Sequence, residues 1–213
     1  MRIDFVADVA CPWCAIGLAA LDRALERIGP ELDVELHMQP FELNPTMPPE
    51  GAEVAQYLKD KYGMSDEQLK AGQAQLAARG KDEGFTFGER RYVWNTFDAH
   101  RMVRWAGTEG TPDMQRALKQ AMFKAYHGEG RNPSDPGVLL ELVTNVGLDV
   151  DRAREVLETN AFADEVRAAE QFWQEIGIHA VPAVVINRKH LISGGQPSAV
   201  FERALRELAT EQA

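Results

Sequence analysis

The apolar runs that favour strands lie at the two ends of this chain, and the long stretch between them is patterned for helices. Ile3 to Val9 is short and rich in β-branched and aromatic side chains. Helical spacing follows at Ile16, Leu18, Leu21, Leu25 and Ile28, and Gly29 and Pro30 stop it. Val34, Leu36 and Met38 then alternate with Glu35, His37 and Gln39 as a second strand, which completes a βαβ opening. The segment Asn44 to Gly51 contains three prolines and reads as a loop leaving the sheet. From Glu53 to about Ile176 the periodicity is helical almost throughout, with stops at Gly63, Gly84, Gly110-Thr111-Pro112, Gly128 to Pro136, and Gly147. Strand-forming sequence returns at Ala183 to Asn187 and at Leu191 and Ile192, and Pro197 to Leu208 reads as a closing helix. An α/β fold is therefore expected, with one discontinuous sheet domain (1–43 and 178–213) split by an all-helical insertion (44–177). Thr210 to Ala213 reads as a frayed tail.

Cys11-Pro12-Trp13-Cys14 falls where the first strand gives way to the first helix. Residues three apart on a helix bring their side chains within ~5–6 Å, close enough for a disulfide with little backbone movement. Unpaired amide N–H groups and the helix dipole favour a thiolate at that end. Cys11 is thus the candidate nucleophile and Cys14 the resolving thiol; these are the only two cysteines in the chain. Two other readings stand beside this one. The pair can be half of a zinc site, for which the chain offers only scattered His37, His100, His127, His179 and His190, or it can be two inert core thiols. Trp13 is either an aromatic surface for an apolar partner or a space filler. Asp4 and Asp8, on the first strand, are either proton acceptors for a buried thiol or solvated acids at a strand end.

The balance of 23 Lys and Arg against 33 Asp and Glu gives a net charge of −10, which argues against a nucleic-acid surface. No segment approaches the roughly 20 apolar residues that a bilayer crossing requires, so no membrane partner is expected. Asp4 and Asp8 interrupt the segment where a secretory signal needs an apolar core, and a cytoplasmic location is expected.

Cys11-Pro12-Trp13-Cys14, Val181-Pro182 before a strand, and Ser193-Gly194-Gly195-Gln196-Pro197 before the last helix together resemble the DsbA-like thioredoxin superfamily. Asn95-Thr96-Phe97-Asp98-Ala99-His100-Arg101 is more narrowly similar to FrnE-type dithiol oxidoreductases, whose relatives include 2-hydroxychromene-2-carboxylate isomerase and kappa-class glutathione transferases. The resemblance implies a thioredoxin-like fold with a large helical insertion, and a cis peptide at Pro182 beside the cysteines. It also implies that the Val181 backbone pairs with an extended substrate. The implied activity is dithiol–disulfide exchange with protein or small-molecule thiols and disulfides, with no tightly bound cofactor, glutathione as a redox partner, and a homodimer as one assembly.

Two departures bear on function. Val181 replaces the Thr that many relatives carry, which removes a hydroxyl next to the thiols. The isomerase and transferase branches typically place Ser at the nucleophile position, whereas this chain has Cys11 with Cys14 to resolve it, which favours the dithiol branch. A glutathione-dependent isomerase or transferase, and a non-catalytic binding module, are the rival readings. Asn95, Asp98, His100 and Arg101 either face the cleft between domains or cap and solvate a helix. His179 either reaches the site or is structural.

Overall fold

The computed structural model describes residues 1–210, so the end of the expected frayed tail lies outside the described residues. The elements in chain order are β1 (Arg2–Ala7), α1 (Pro12–Ile28), β2 (Glu35–Pro40), β3 (Ala52–Glu53), α2 (Val54–Tyr62), α3 (Asp66–Asp82), β4 (Tyr92–Val93) and α4 (Phe97–Glu109). They continue with α5 (Pro112–Phe123), α6 (Pro136–Asn145), α7 (Val150–Glu158), α8 (Ala163–Glu175), β5 (Ala183–Ile186), β6 (His190–Ser193) and α9 (Ser198–Thr210).

The main sheet has the order β2-β1-β5-β6. β2 runs parallel to β1, joined through α1, and β5 and β6 add antiparallel. All four strands thus come from the two ends of the chain, as the distribution of apolar runs predicts. Alternation along β1 sorts its side chains. Ile3 and Phe5, with Val184 and Ile186 opposite them, pack against α1 and α9 through Leu18, Leu21, Phe201 and Leu205. Val6, with Ala183 opposite, faces Trp173 of α8 and Ile178. Helices on both faces leave β5 buried along its whole length.

The insertion is helical but not purely so. The expectation of an all-helical insertion misses an antiparallel ladder in which Ala52 and Glu53 pair with Val93 and Tyr92. Two residues per strand are too few to produce a period-two signal, so nothing in the sequence could announce it. Helix ends follow the local chemistry. Ser65 and Gln68 form a complete capping box at α3, Asp135 caps α6, and Gly63 ends α2 in the left-handed conformation that only glycine adopts without strain.

Arg101 ties α4 to α7 and to the turn that follows α7. Its guanidinium is almost wholly buried and donates to the carbonyls of Val156, Thr159 and Ala161 and to the Asp98 carboxylate at 2.7 Å. Asp98 and Arg101 are therefore structural members of the Asn95–Arg101 segment. Arg101→Met keeps the volume but strands three carbonyls, and should cost about 3 kcal/mol. Urea unfolding followed by fluorescence and circular dichroism checks this; a loss below about 0.5 kcal/mol would contradict the assignment.

Candidate active site

α1 begins at the motif itself. Cys11 is the N-cap residue in extended conformation, and Pro12 occupies the first helical position, where its missing N–H costs nothing. The Cys14 N–H donates to Cys11 O at 3.1 Å, so the two thiols sit on one turn. Cys14 is fully buried, whereas Cys11 retains 5% exposure and donates through Sγ to the Val181 carbonyl at 3.7 Å. Val181 and Pro182 are joined by a cis peptide bond. The side chain that a Cβ on Gly17 would meet is Pro182 Cγ, 3.1 Å away, and a Cβ on Gly195 would come within 3.0 Å of Trp13 O. Two glycines thus permit the proline loop and the loop before α9 to close on the motif. Arg79 of α3 holds the second loop by donating to Gly195 O at 3.2 Å.

The loop that delivers Cys11 is gripped by the insertion, residue by residue. Lys119 Nζ donates to Ala7 O at 3.2 Å, His127 Nε2 to Val9 O at 2.8 Å, and Arg90 Nη1 to Ala10 O at 3.1 Å. Between them the Asp8 carboxylate accepts from Ala10 N at 3.0 Å, Leu43 N at 2.7 Å, Thr96 Oγ1 at 2.7 Å and His100 Nε2 at 3.3 Å. His127 reaches the loop because α5 widens into a π-turn over Lys124–Gly128.

The network sets the charges around the thiols. Burial favours protonated Asp8, but its bonds from His100, Leu43 and Ala10 outweigh that and hold it below the usual carboxylate range, so it is ionised at neutral pH. Burial and the nearby Lys119 charge lower His100, and burial lowers His127 further. Burial brings Lys119 down to about 8, against the pull of Asp8 and of both thiols. Cys14 is pushed well up, first by burial and then by its hydrogen bond and charge interaction with Cys11; the Asp8 N–H and Lys119 act the other way. The site therefore joins an exposed-side thiol, a buried protonated thiol, and a buried amine poised close to neutrality.

Of the candidates from sequence, Cys11, Cys14, Trp13, Val181 and Pro182 converge at this site, and Asp8 and His100 stand directly behind it. Asp4 does not join them; it is buried farther back on β1, paired with Arg2 at 2.6 Å. Asp4 and Asp8 are both buried, which corrects their reading as solvated acids. His179 is exposed. Sequence reasoning missed Lys119 and Arg90, and weighed His127 only among the scattered histidines of a zinc site. Lys119 left a trace, since it interrupts an apolar helical stripe with Leu118 and Met122 as neighbours, and all three are buried. Among the described residues no group of three or more His, Cys, Asp or Glu side chains is arranged to hold a metal ion, and no helix is long and apolar enough to cross a membrane.

The fold has known counterparts. Residues 2–206 match the model of the DSBA-like thioredoxin domain. The chain is 35% identical to a probable DsbA oxidoreductase from Streptomyces coelicolor, with a TM-score of 0.91 over 100% of this chain and 92% of that one. It shares its fold with 2-hydroxychromene-2-carboxylate isomerase, at 17% identity and a TM-score of 0.74 over 100% and 98% of the two chains. The same holds for the cytosolic disulfide reductase DsbM from Pseudomonas aeruginosa, solved with GSH, at 21% identity and a TM-score of 0.63 over 97% and 100%. With both thiols at the helix start and the family model spanning nearly the whole length, the chain belongs to the DsbA-like thioredoxin family.

Proposed function

We propose that this protein exchanges a Cys11–Cys14 dithiol or disulfide with disulfides or thiols of proteins and small molecules. The observation that carries the reading is the Cys11 thiol at the start of α1, against the Val181 carbonyl and one turn from a buried partner thiol. In the reducing direction the Cys11 thiolate attacks a substrate disulfide, one substrate sulfur leaves as a thiol, and a mixed disulfide forms. Cys14 then gives up its proton and attacks Cys11 Sγ. The second substrate thiol leaves, and the dithiol, having given the substrate two electrons, is left oxidised as a Cys11–Cys14 disulfide. Run backwards, the same steps oxidise a substrate dithiol.

Each flanking group has a part. The Val181 backbone and Pro182 offer an edge for extended substrate, with Trp13, half-buried beside them, as its apolar floor. Neutral Lys119 can take the Cys14 proton, and its ammonium then faces the resulting thiolate. Asp8, held ionised, stabilises that ammonium. A cytoplasmic setting fits a pair that must be returned to the dithiol by an external thiol, and glutathione, present in the DsbM structure, has the right chemistry for that step.

Cysteine replacement separates the roles. Cys14→Ser mixed with oxidised glutathione should accumulate a covalent adduct that dithiothreitol removes, whereas Cys11→Ser should form none at the site; mass spectrometry reads both. No adduct on Cys14→Ser together with turnover by Cys11→Ser would reverse the assignment. A double variant that still converts a glutathione-dependent isomerase substrate would put that reading in its place.

The resolving step should depend on pH through Lys119. Below about 8 the amine is protonated and cannot accept the Cys14 proton; above it the neutral form grows. Release of the mixed disulfide, followed by acid quench, should therefore accelerate as pH rises through about 8. In Lys119→Met that rise should vanish, with release slower on the order of tenfold or more at pH 8. An unchanged profile would remove Lys119 from the mechanism.

A further inference from the structure

A cavity of about 410 Å³ opens between the sheet and α8. Neither cysteine lines it, nor do Val181 and Pro182, so the cavity is distinct from the redox site. Three guanidinium groups reach it from three elements: Arg2 from β1, Arg104 from α4 and Arg188 from the turn between β5 and β6. Arg2 is already committed. It forks onto the buried Asp4 carboxylate at 2.8 and 2.6 Å, and Gln39 Nε2 completes that carboxylate at 2.7 Å. Its remaining nitrogen lies 3.1 Å from His37 Nε2, whose other neighbour is the exposed Glu35.

Asp4 thus neutralises one cation of the three. Among the described residues Arg104 and Arg188 have no ion-pair partner, so the cavity keeps two positive charges in a chain whose net charge is −10. Arg104 Nε is buried without an acceptor, and so is Nδ2 of Asn187, the residue beside Arg188. Buried donors left unpaired are uncommon in folded proteins and call for an acceptor.

Arg188 is held there at a conformational cost. In the three-residue connection between β5 and β6 it is the second central residue of the β-turn closed by Lys189 N donating to Ile186 O at 3.0 Å, with φ +57°, where glycine or asparagine is the usual choice. The turn is fixed to β1 by reciprocal bonds of 2.9 Å, from Asn187 N to Arg2 O and from Arg2 N to Asn187 Oδ1. The remaining wall is aromatic: Phe172 is exposed and meets the buried Trp173 edge-to-face at 5.1 Å.

The geometry points to a second binding site here, for a small organic phosphate that carries a flat ring. Two unpaired guanidinium groups match the several oxygens and double charge of a phosphate better than a single carboxylate. The exposed face of Phe172 takes the ring, and the cavity is of the size that such ligands fill.

Adenosine monophosphate is a suitable probe, titrated calorimetrically into the full chain. One molecule should bind saturably per chain, and adenosine and orthophosphate should each bind at least about tenfold more weakly. Arg104→Gln and Arg188→Gly should each weaken binding about tenfold. The glycine suits the left-handed turn, so that variant tests the cation without threatening the fold. Alkylation of Cys11 should leave binding unchanged. The site is refuted by no saturable binding at millimolar nucleotide, by binding that survives both substitutions, by adenosine or orthophosphate binding as tightly as the nucleotide, or by loss of binding on alkylation.

Discussion

The Asp8 carboxylate is the constraint on which the rest of the site depends. It sits three residues before Cys11, at the point where β1 stops pairing, and it gathers donors from three separate parts of the chain. Ala10 belongs to its own turn, Leu43 follows β2, and Thr96 and His100 open α4. A buried carboxylate is costly unless its lone pairs are filled, so each of these segments must be in place for Asp8 to remain ionised. The strand-to-helix turn that presents Cys11 is consequently defined by the insertion as much as by the sheet. Lys119, His127 and Arg90 extend the same grip to the carbonyls on either side of Asp8.

That arrangement explains why the two thiols differ although they share one turn of helix. Cys11 is the N-cap, with residual exposure and a carbonyl neighbour from the proline loop. Cys14 points into the core, where burial and the neighbouring Cys11 hold it protonated. A thiol so disfavoured as a thiolate needs a local base if it is to resolve an intermediate, and the base must itself be buried to reach it. In the proposed exchange Lys119 is that base: burial lowers it to about 8, while Asp8 limits how far the shift goes.

Much of this was legible in the chain. The sheet followed from the position of β-rich runs at both ends, and α1 from apolar spacing between a Cys-Pro start and Gly29. The motif thiols followed from where that helix begins. Three things stayed hidden for physical reasons. The β3–β4 ladder is too short to carry a period. The donors to the Asp8 loop, Arg90, Lys119 and His127, lie 80 to 118 residues along the chain from the carbonyls they bond, and no local pattern records contacts made across a fold. The Asn95–Arg101 segment showed no division of labour, because His100 and Arg101 are consecutive yet point to different neighbours, one to Asp8 and the other to the carbonyls of α7 and the turn after it.

The asymmetry of the two thiols is the centre of this account, and differential alkylation of the reduced protein measures it most directly. Limited labelling across a pH series, with each cysteine quantified by mass spectrometry, should show Cys11 modified first throughout. Cys14 should stay protected well into the alkaline range, as its burial and raised pKa require. Equal labelling of the two, or earlier labelling of Cys14, would contradict the account.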